Sequence, residues 1–338
     1  MFDIIIIGAG PVGLYSAYLC EKLGYKVVVL EEDKIIGKPL RCSGLISKNI
    51  EKFFPDIKTW NVVENEIDTA ILHSSKCEFR LSKNKAAYVI NRFKFDKKIS
   101  EMVNSPIKTG QKAVKIERSK YVEILTNKDK FRGEMVLFCD GPNGLSSKLI
   151  EKKRNVKGLF AIVKERNNAN YVELYFNKKF LNDGFFWKIP RGESVEYGGW
   201  GSDVNFRYIE KFFGIKNYEK FAGLIPVYPV KKSYGERFLL IGGAAGQNKP
   251  WSGGGVIYGL TCAEIASKIV EKAFHFNYFS EILLKEYEVE WKKKIGKQIK
   301  LGLLFRKFLR FSNDFELNLL FALAKFFDYR WMDMDFIV

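Results

Sequence analysis

The sequence is poor in cysteine and histidine and contains no long uncharged apolar run. Five cysteines and two histidines occur among 338 residues, and no two cysteines form a Cys-x-x-Cys pair. This pattern argues against a structural zinc site and against a disulfide-stapled fold, so we expect no metal site. The lack of any stretch of about 18 uncharged apolar residues excludes a membrane-spanning helix. The N-terminus shows no signal-peptide pattern, and we therefore expect a cytoplasmic protein whose membrane contact, if any, is peripheral.

Acidic residues are scarce relative to basic ones. Lys and Arg number 56 against 39 Asp and Glu, which gives a net charge of +17. Such a field attracts acidic partners such as an anionic membrane, a diphosphate or an acidic electron carrier, although genomic base composition produces the same bias. No zinc finger or RNA-recognition segment accompanies the charge, so specific nucleic-acid binding is not expected.

A glycine-rich turn between an apolar strand and a helix is the first motif with clear chemistry. Residues 2–7 form a β-branched apolar run, residues 12–23 follow a helical pattern, and residues 25–30 form a second strand. In such a unit the glycines permit the tight turn, the approach of a pyrophosphate and close helix packing, and an acid binds the ribose. These residues are Gly8, Gly10, Pro11, Gly13 and Glu31. The segment predicts a dinucleotide site, and its carboxylate disfavours the 2′-phosphate of NADP.

Two later strand–turn segments extend this site. A predicted strand at 135–139 leads into Asp140 and Gly141, and another at 237–241 leads into the glycine-rich run 242–246. A helix is predicted from residue 256 to 273. These segments resemble the second and third motifs of the flavin hydroxylase-like family, and Arg92 resembles the arginine of its Arg-x-x-Phe-Asp helix start. The resemblance implies FAD rather than NAD, with the N-terminus of the predicted helix at the flavin pyrimidine.

One position departs from that family. Gly243 stands where the third motif usually has an aspartate. A charge-assisted hydrogen bond of that kind is worth about 1.5–3 kcal/mol, or roughly 10–200-fold in affinity. We therefore expect that FAD is bound weakly, is held by extra contacts, or is absent from the protein as isolated.

Two further features resemble the geranylgeranyl reductase family, whose flavoenzymes saturate isoprenoid chains. The turn at 39–44 is similar to an Arg-Cys-Gly-like turn that lies close to the flavin ring in that family. The family pattern Tyr-x-Trp-x-Phe-Pro, followed by Gly-x-Gly, is retained at Trp187, Pro190, Gly199 and Gly201. Phe185 replaces the tyrosine and Ile189 replaces the phenylalanine, so position 185 supplies no hydroxyl group in this sequence.

Together these resemblances imply the site residues. The positions implied for cofactor binding are Gly8, Gly10, Pro11, Gly13, Glu31, Arg41, Cys42, Ser43, Gly44, Arg92, Ala113, Asp140, Gly141, Gly243, Ala244, Gly246, Gly254, Gly255 and Val256. The positions implied for substrate binding are Phe185, Trp187, Pro190, Gly199, Gly201, Trp251 and Tyr258. Cys42 is the candidate catalytic residue, with Arg41 beside it to lower its pKa, and Cys42 and Tyr258 are the candidate proton donors.

The implied activity is saturation of isolated C=C bonds in a geranylgeranyl or polyprenyl chain during isoprenoid ether-lipid biosynthesis. A chain of this kind needs a long apolar tunnel, because burial contributes about 25 cal/mol per Å². The expected partners are a prenyl lipid and an electron donor, namely an acidic carrier such as ferredoxin, a reduced deazaflavin or NADPH. Two alternatives remain open at this point: a flavin monooxygenase of the same fold, and a non-catalytic prenyl-lipid-binding relative.

The expected architecture is mixed α/β. It comprises a discontinuous Rossmann-type FAD-binding domain (1–50, 85–158 and 236–275), an antiparallel-sheet substrate domain (51–84 and 159–235) and a helical C-terminal region (276–338). The C-terminal region predicts one helix over 285–311 and a second that begins at Asn313, with Glu316 completing a capping box. Its basic amphipathic pattern suits either an anionic membrane surface or a helical cap packed on the body.

Overall fold

A computed structural model describes residues 1–150, 155–326 and 334–335. The strands are β1 (Phe2–Ile7), β2 (Val27–Leu30), β3 (Leu45–Ser47), β4 (Val63–His73), β5 (Glu78–Ile90), β6 (Ile107–Lys108), β7 (Ala113–Arg118), β8 (Val122–Thr126), β9 (Lys130–Phe138), β10 (Asn155–Val163), β11 (Tyr171–Tyr175), β12 (Phe185–Pro190), β13 (Val195–Gly201), β14 (Glu219–Pro226), β15 (Tyr234–Gly235) and β16 (Phe238–Leu240). The helices are α1 (Pro11–Lys22), α2 (Arg92–Ser100), α3 (Phe206–Phe213), α4 (Val256–His275), α5 (Glu281–Phe311) and α6 (Asp314–Ala324).

The first sheet has β1 near its centre. Its main path runs β15-β16-β9-β1-β2-β6, and β1 pairs in parallel with both β2 and β9. Alternate residues of β1 pack into cores on opposite faces of the sheet, Ile4 and Ile6 on the side of α1 and α4, and Ile5 and Ile7 on the other. Burial on both faces explains the uninterrupted isoleucine run. The carboxyl ends of β1, β9 and β16 meet at one edge, where ligands bind in folds of this kind.

The second sheet is largely antiparallel, with the order β14-β10-β13-β12-β11-β4-β5-β3. The antiparallel sheet predicted for the substrate domain is confirmed, because β12 pairs antiparallel with both β11 and β13. The pair β4–β11 is parallel instead. Between these two strands the chain forms strands of the first sheet, and parallel pairing requires a long connection of this kind. One face packs against α3 and the other against the C-terminal helices. The predicted mixed α/β architecture is therefore confirmed.

The domain boundaries stay a prediction. Strand β3 and the end of β5 fall in segments that we assign to the cofactor domain, yet both pair within the second sheet. The chain thus crosses from the first sheet to the second near residue 45 and returns near residue 90. The parts of the predicted boundaries at 151–154, 327–333 and 336–338 lie outside the described residues.

The C-terminal helices have the predicted form. Helix α5 is continuous over Glu281–Phe311, and at the start of α6 the Asn313 side chain accepts from the Glu316 amide while the Glu316 carboxylate accepts from the Asn313 amide. The predicted capping box is therefore confirmed. Within the described residues, no helix combines the length and the apolar character that crossing a bilayer requires.

Helix α5 packs closely on the loop that precedes α4 because it carries a glycine at the contact. A Cβ atom on Gly302 would lie 2.3 Å from Trp251 Cε3 and 2.9 Å from Pro250 Cδ. A Cβ atom on Gly296, in the same helix, would contact the Lys292 side chain at 3.5 Å. The first glycine is required by packing and the second is not.

We expect opposite effects when these two glycines are replaced. Gly296→Ala raises the thermal unfolding midpoint, because alanine is favoured over glycine in a helix by about 1 kcal/mol. Gly302→Ala lowers it, because the new methyl group overlaps the indole ring of Trp251. Thermal unfolding followed by circular dichroism measures both. Equal midpoints for the two variants would contradict the described packing of α5.

Candidate functional site

The turn after β1 is shaped by close backbone contacts. Gly8 has φ +101°, and a Cβ atom on it would lie 2.5 Å from the carbonyl oxygen of Cys139. A Cβ atom on Gly13 would lie 1.9 Å from the carbonyl oxygen of Gly8, so only glycine allows α1 to approach β1. In front of Gly10 nothing lies within 4 Å of the Cβ position. This open space at the N-terminus of α1 fits a pyrophosphate, as predicted for Gly10 and Pro11.

Glu31 lies beside this turn. Its carboxylate accepts a hydrogen bond of 2.6 Å from the Ala9 amide and one of 2.9 Å from the Asp33 amide. Burial raises the pKa of Glu31, and the two amide donors partly offset that effect. Glu31 directly follows β2, and this is where the dinucleotide fold places its ribose-binding carboxylate.

The second and third motifs meet the first at the same edge. The Asp140 carboxylate accepts from the Ser146 amide at 2.8 Å and from its hydroxyl at 2.6 Å, which fixes the turn after β9. The Cβ position of Gly243 lies 3.4 Å from the Cα atom of Gly141, so the turns after β9 and β16 are in contact. Three glycine turns thus line one crevice, and these residues fit a dinucleotide.

The remaining predicted cofactor residues lie in three places. Ala113 begins β7, on the far side of the first sheet from α1. Ala244 and Gly246 follow β16, and Gly254, Gly255 and Val256 form the start of α4. Their contact with a cofactor stays a prediction.

Cys42 lies in a turn held by a buried arginine. The Arg92 guanidinium binds both oxygens of the Asp96 carboxylate at 3.0 Å and also interacts with the Cys42 thiol. Although burial opposes its charge, these two partners raise the pKa of Arg92, so it stays cationic. The buried cation that interacts with Cys42 is Arg92, whereas Arg41 is exposed and pairs with Asp33 at 3.1 Å.

The backbone of this turn is clamped from the second sheet. A Cβ atom on Gly44 would lie 2.2 Å from the carbonyl oxygen of Ile90, so glycine is needed at this contact. The Arg191 guanidinium donates to the carbonyl oxygens of Ser43 and Ile90. One buried cation thereby ties β12 to the turn that carries Cys42.

Arg191 is balanced by one buried and one partly exposed carboxylate, both of which the sequence analysis missed. Its guanidinium lies 2.9 Å from Glu196 and 2.7 Å from Glu64, and Trp187 Nε1 donates to Glu196 at 2.8 Å. Burial raises the pKa of Glu196 to about 7, against the lowering effects of Arg191 and Trp187. The sequence does contain one signal for Glu196, because it is the charged residue in a strand that otherwise consists of valine, glycine and aromatic residues.

Aromatic side chains form a wall next to this network. The Trp187 ring covers Gly198, where a Cβ atom would lie 2.3 Å from the indole. Phe185 contacts Trp200 edge-on, with ring centroids 5.9 Å apart, and both belong to an apolar cluster that includes residues of α5 and α6. The motif glycines make other contacts, since Gly199 faces the Phe186 ring, which lies in the cluster on the opposite face of the sheet, and Gly201 faces Asp183. Pro190 ends β12.

Strand β14 brings the Cys42 turn close to the start of α4. A Cβ atom on Gly223 would lie 2.5 Å from the carbonyl oxygen of Arg41. Two residues further along, Ile225 contacts Gly253, which also packs on the Trp200 ring. The predicted cofactor turn, the N-terminus of α4 and the aromatic wall are therefore neighbours, although they are far apart in the sequence.

Asp335 lies beside the start of α4 and the end of β3. Asp335 pairs with Lys249 at 2.7 Å, both side chains being buried, and its carboxylate also accepts from Ser47 and Asn49. Tyr258 is buried, and its hydroxyl donates to the backbone carbonyl of Asp335 at 2.9 Å. The hydroxyl of the predicted proton donor Tyr258 is thus engaged with the chain's own C-terminal segment. Trp251 packs on α5 at Gly302.

We expect Glu196 to make the stability of the fold depend on pH. Because its pKa is raised from 4.5 to about 7, its contribution is complete below pH 4.5 and is lost as the pH rises through about 7. Glu196→Gln removes this titration, so the decline in melting temperature toward neutral pH becomes shallower. Melting temperature against pH measures it, with the exposed Glu193→Gln as control. An unchanged slope in Glu196→Gln would contradict the raised pKa.

Comparison with known proteins agrees with this geometry. Residues 6–42 match the family described as NAD(P)-binding Rossmann-like domain. The chain is 30% identical to the digeranylgeranylglycerophospholipid reductase of Methanocaldococcus jannaschii, with 95% of this chain and 90% of that protein covered. It is 28% identical to the reductase of the same name from Methanococcus aeolicus, with 99% and 92% covered.

Solved structures show the same fold. A geranylgeranyl bacteriochlorophyll reductase-like protein from Thermoplasma acidophilum has a TM-score of 0.89 at 21% identity, with 98% of this chain and 94% of that chain covered. A flavin-dependent brominase has a TM-score of 0.77 at 15% identity, with 97% and 91% covered. At these identities the likeness concerns the fold alone. The similarity to the Methanocaldococcus jannaschii protein over nearly the full chain shows that this chain belongs to the family of digeranylgeranylglycerophospholipid reductases.

Proposed function

We propose that the protein is an FAD-dependent reductase that saturates isolated C=C bonds in the geranylgeranyl chains of an ether phospholipid. Relatives that are named for that activity are similar to this chain over nearly its whole length. The observation that carries the proposal is the meeting of three features at β14: the Cys42 turn, the N-terminus of α4 and the aromatic wall around Trp200. A lipid oxidoreductase needs a redox cofactor beside an apolar surface. The junction at β14 would supply a surface for the cofactor and an apolar surface for the lipid.

The residues proposed to hold FAD lie along one edge of the first sheet. Gly10 and the N-terminus of α1 would bind the diphosphate, and Glu31 would bind the adenosine ribose. The N-terminus of α4, at Gly254 and Gly255, would stabilise negative charge on the reduced flavin ring. Held by these residues, FAD in its reduced form would supply hydride chemistry to the site.

The chain's own residues would provide the proton and the dry environment. We propose that the Cys42 thiol holds a proton beside the reacting bond, while Arg92 and the Arg191 clamp keep the turn in place. An isolated alkene is a poor hydride acceptor, so water must be restricted during transfer. The packed rings of Phe185, Trp187 and Trp200 would exclude it.

The expected electron donor is acidic. The net charge of +17 favours an encounter with a ferredoxin or an anionic reduced deazaflavin. NADPH is the less favoured donor, because the sequence contains a single strand–glycine–helix fingerprint and the proposed FAD occupies it.

We also propose peripheral contact with the cytoplasmic face of an anionic membrane. Large apolar side chains on α5 and α6 are exposed, including Phe311 at 72% and Phe315 at 74%. Lysine and arginine side chains surround them along α5. Apolar side chains beside basic ones are typical of helices that lie in a membrane interface.

Mass spectrometry tests the reaction. Chemically reduced, FAD-loaded protein incubated with digeranylgeranylglyceryl phosphate is expected to add one H2 for each bond saturated. Cys42→Ala is expected to lose about 100-fold in turnover per bound flavin, because it removes the proposed proton donor. Cys77→Ala, which removes a partly buried thiol at the margin of the Phe185 cluster and outside the Cys42 turn, is the control.

Three outcomes would count against the proposal. Addition of an oxygen atom to the lipid would indicate a monooxygenase, and an unchanged lipid would indicate a binding protein. Equal losses of turnover in Cys42→Ala and Cys77→Ala would remove the role given to Cys42.

Gly243 provides a test of the cofactor itself. The Cβ position of Gly243 is only in ordinary contact with Gly141, so a side chain fits there. We expect Gly243→Asp to tighten FAD binding by roughly 10–200-fold, because the carboxylate accepts a charge-assisted hydrogen bond from the flavin's sugar-alcohol chain. Titration of the apoprotein, followed by flavin fluorescence, measures the change. Gly243→Asn is the neutral control, and equal affinity of both variants would contradict the proposed position of FAD.

A further inference from the structure

A basic pocket lies beside the last turns of α5. It has a volume of about 330 Å³, within the range of small-molecule sites. Three cationic side chains, Arg306, Lys307 and Arg310, and one carboxylate, Asp183, line it. Val227 and Tyr228, which follow β14, complete the side that faces the second sheet.

Two of the four charged groups neutralise each other. Arg306 lies 2.7 Å from Asp183, and both side chains are buried. Although burial opposes its charge, the amide and hydroxyl of Ser202 and the Arg306 guanidinium lower the pKa of Asp183, which keeps it ionised. Within the described residues Lys307 and Arg310 are exposed and form no ion pair with a carboxylate. The pocket therefore has an excess of two positive charges near its opening.

The opening is apolar as well as basic. Leu304 and Phe311 line the pocket and are 64% and 72% exposed. Placing a cationic pocket among exposed apolar side chains suits a ligand with an anionic group attached to hydrocarbon. A soluble phosphate metabolite would gain nothing from these apolar side chains, whereas a phospholipid in a membrane would cover them.

The inner side of the pocket leads toward the proposed site. Leu303 and Val227 line the pocket and also belong to the apolar cluster that contains Phe185 and Trp200. The Arg306 guanidinium lies 4.5 Å from the centre of the Trp200 ring, and Gly253 packs on the same ring. One indole thus separates the pocket from the turn at the start of α4.

We infer that this pocket binds the phosphate of the lipid substrate's headgroup, with Lys307 and Arg310 as its donors. The inference rests on the proposed function and adds the recognition of an anionic phospholipid to it. Headgroup binding at the surface would leave the prenyl chains to enter the apolar cluster beneath. Lys307 and Arg310 lie one helical turn apart, which lets both contact one phosphate group.

The test compares two lipids that differ only in the phosphate. Digeranylgeranylglyceryl phosphate and digeranylgeranylglycerol are presented in the same neutral detergent micelles to the FAD-loaded protein. In the double variant Lys307→Gln, Arg310→Gln we expect KM for the phosphate lipid to rise at least roughly tenfold, with kcat unchanged. KM for the phosphate-free lipid is expected to stay the same, because it lacks the group that the two side chains bind.

The control is a double variant with the same change of charge on the same helix. Lys293→Gln, Lys297→Gln removes two exposed cations about 20 Å away along α5. It is expected to leave both KM values unchanged. An equal effect of the two double variants would show general electrostatic attraction and would overturn the inference.

Equilibrium binding gives a readout that does not depend on turnover. The unreduced protein is expected to bind the phosphate lipid at least roughly tenfold more tightly than the pocket variant does. Inorganic phosphate is expected to compete weakly, because it lacks the hydrocarbon. If inorganic phosphate displaces the lipid at equal concentration, the pocket is a free-anion site and the inference is wrong.

The two proposals fail in different ways. If neither lipid is saturated but the phosphate lipid still binds the wild type more tightly than the pocket variant, the reductase proposal fails and the headgroup pocket stands. If both lipids are saturated and the pocket variant matches the control, the reductase proposal stands and the pocket is wrong.

Discussion

The close approach of α1 to the ends of β1 and β9 is the constraint on which the rest of the structure depends. Gly8 and Gly13 allow backbone atoms to touch where any side chain would collide. Val12, held by this contact, then packs on Gly242 and Gly259, which brings the turn after β16 and the helix α4 to the same crevice. A backbone contact within the first thirteen residues therefore sets the position of segments more than two hundred residues later.

The second sheet solves a different problem, since it brings charged groups into an apolar interior. Arg191 and Glu196 are buried together, and a buried ion pair is tolerated only when its remaining donors and acceptors are satisfied. Here the backbone carbonyls of Ser43 and Ile90 and the indole of Trp187 complete the network. The same hydrogen bonds that satisfy the buried charges also fix the turn that carries Cys42. The buried ion pair therefore helps to position the Cys42 thiol.

The parts that the sequence predicted are those with local causes. The isoleucine run of β1, the glycine turn, the start of α2 at Arg92 and the capping box at Asn313 all arise from residues near one another in the chain. The parts it missed are contacts between distant segments. Arg306 meets Asp183, Lys249 meets Asp335, and Arg191 reaches both Glu64 and the turn at Ser43, and no spacing in the sequence indicates these partners.

The sequence by itself determined the N-terminal strand–helix–strand unit, the strands before the two later glycine turns, the glycine positions of the dinucleotide unit and the resemblance to the isoprenoid reductases, because these depend on short-range steric and hydrophobic patterns. Only the tertiary structure decided which cation lies beside Cys42 and which pocket Lys307 and Arg310 of α5 line. The first depends on the close contact of the turn at Gly44 with Ile90 and Arg92, and the second on the packing of α5 across the second sheet. Such contacts join residues that are remote in the chain, and their geometry is set by the packing of the whole core.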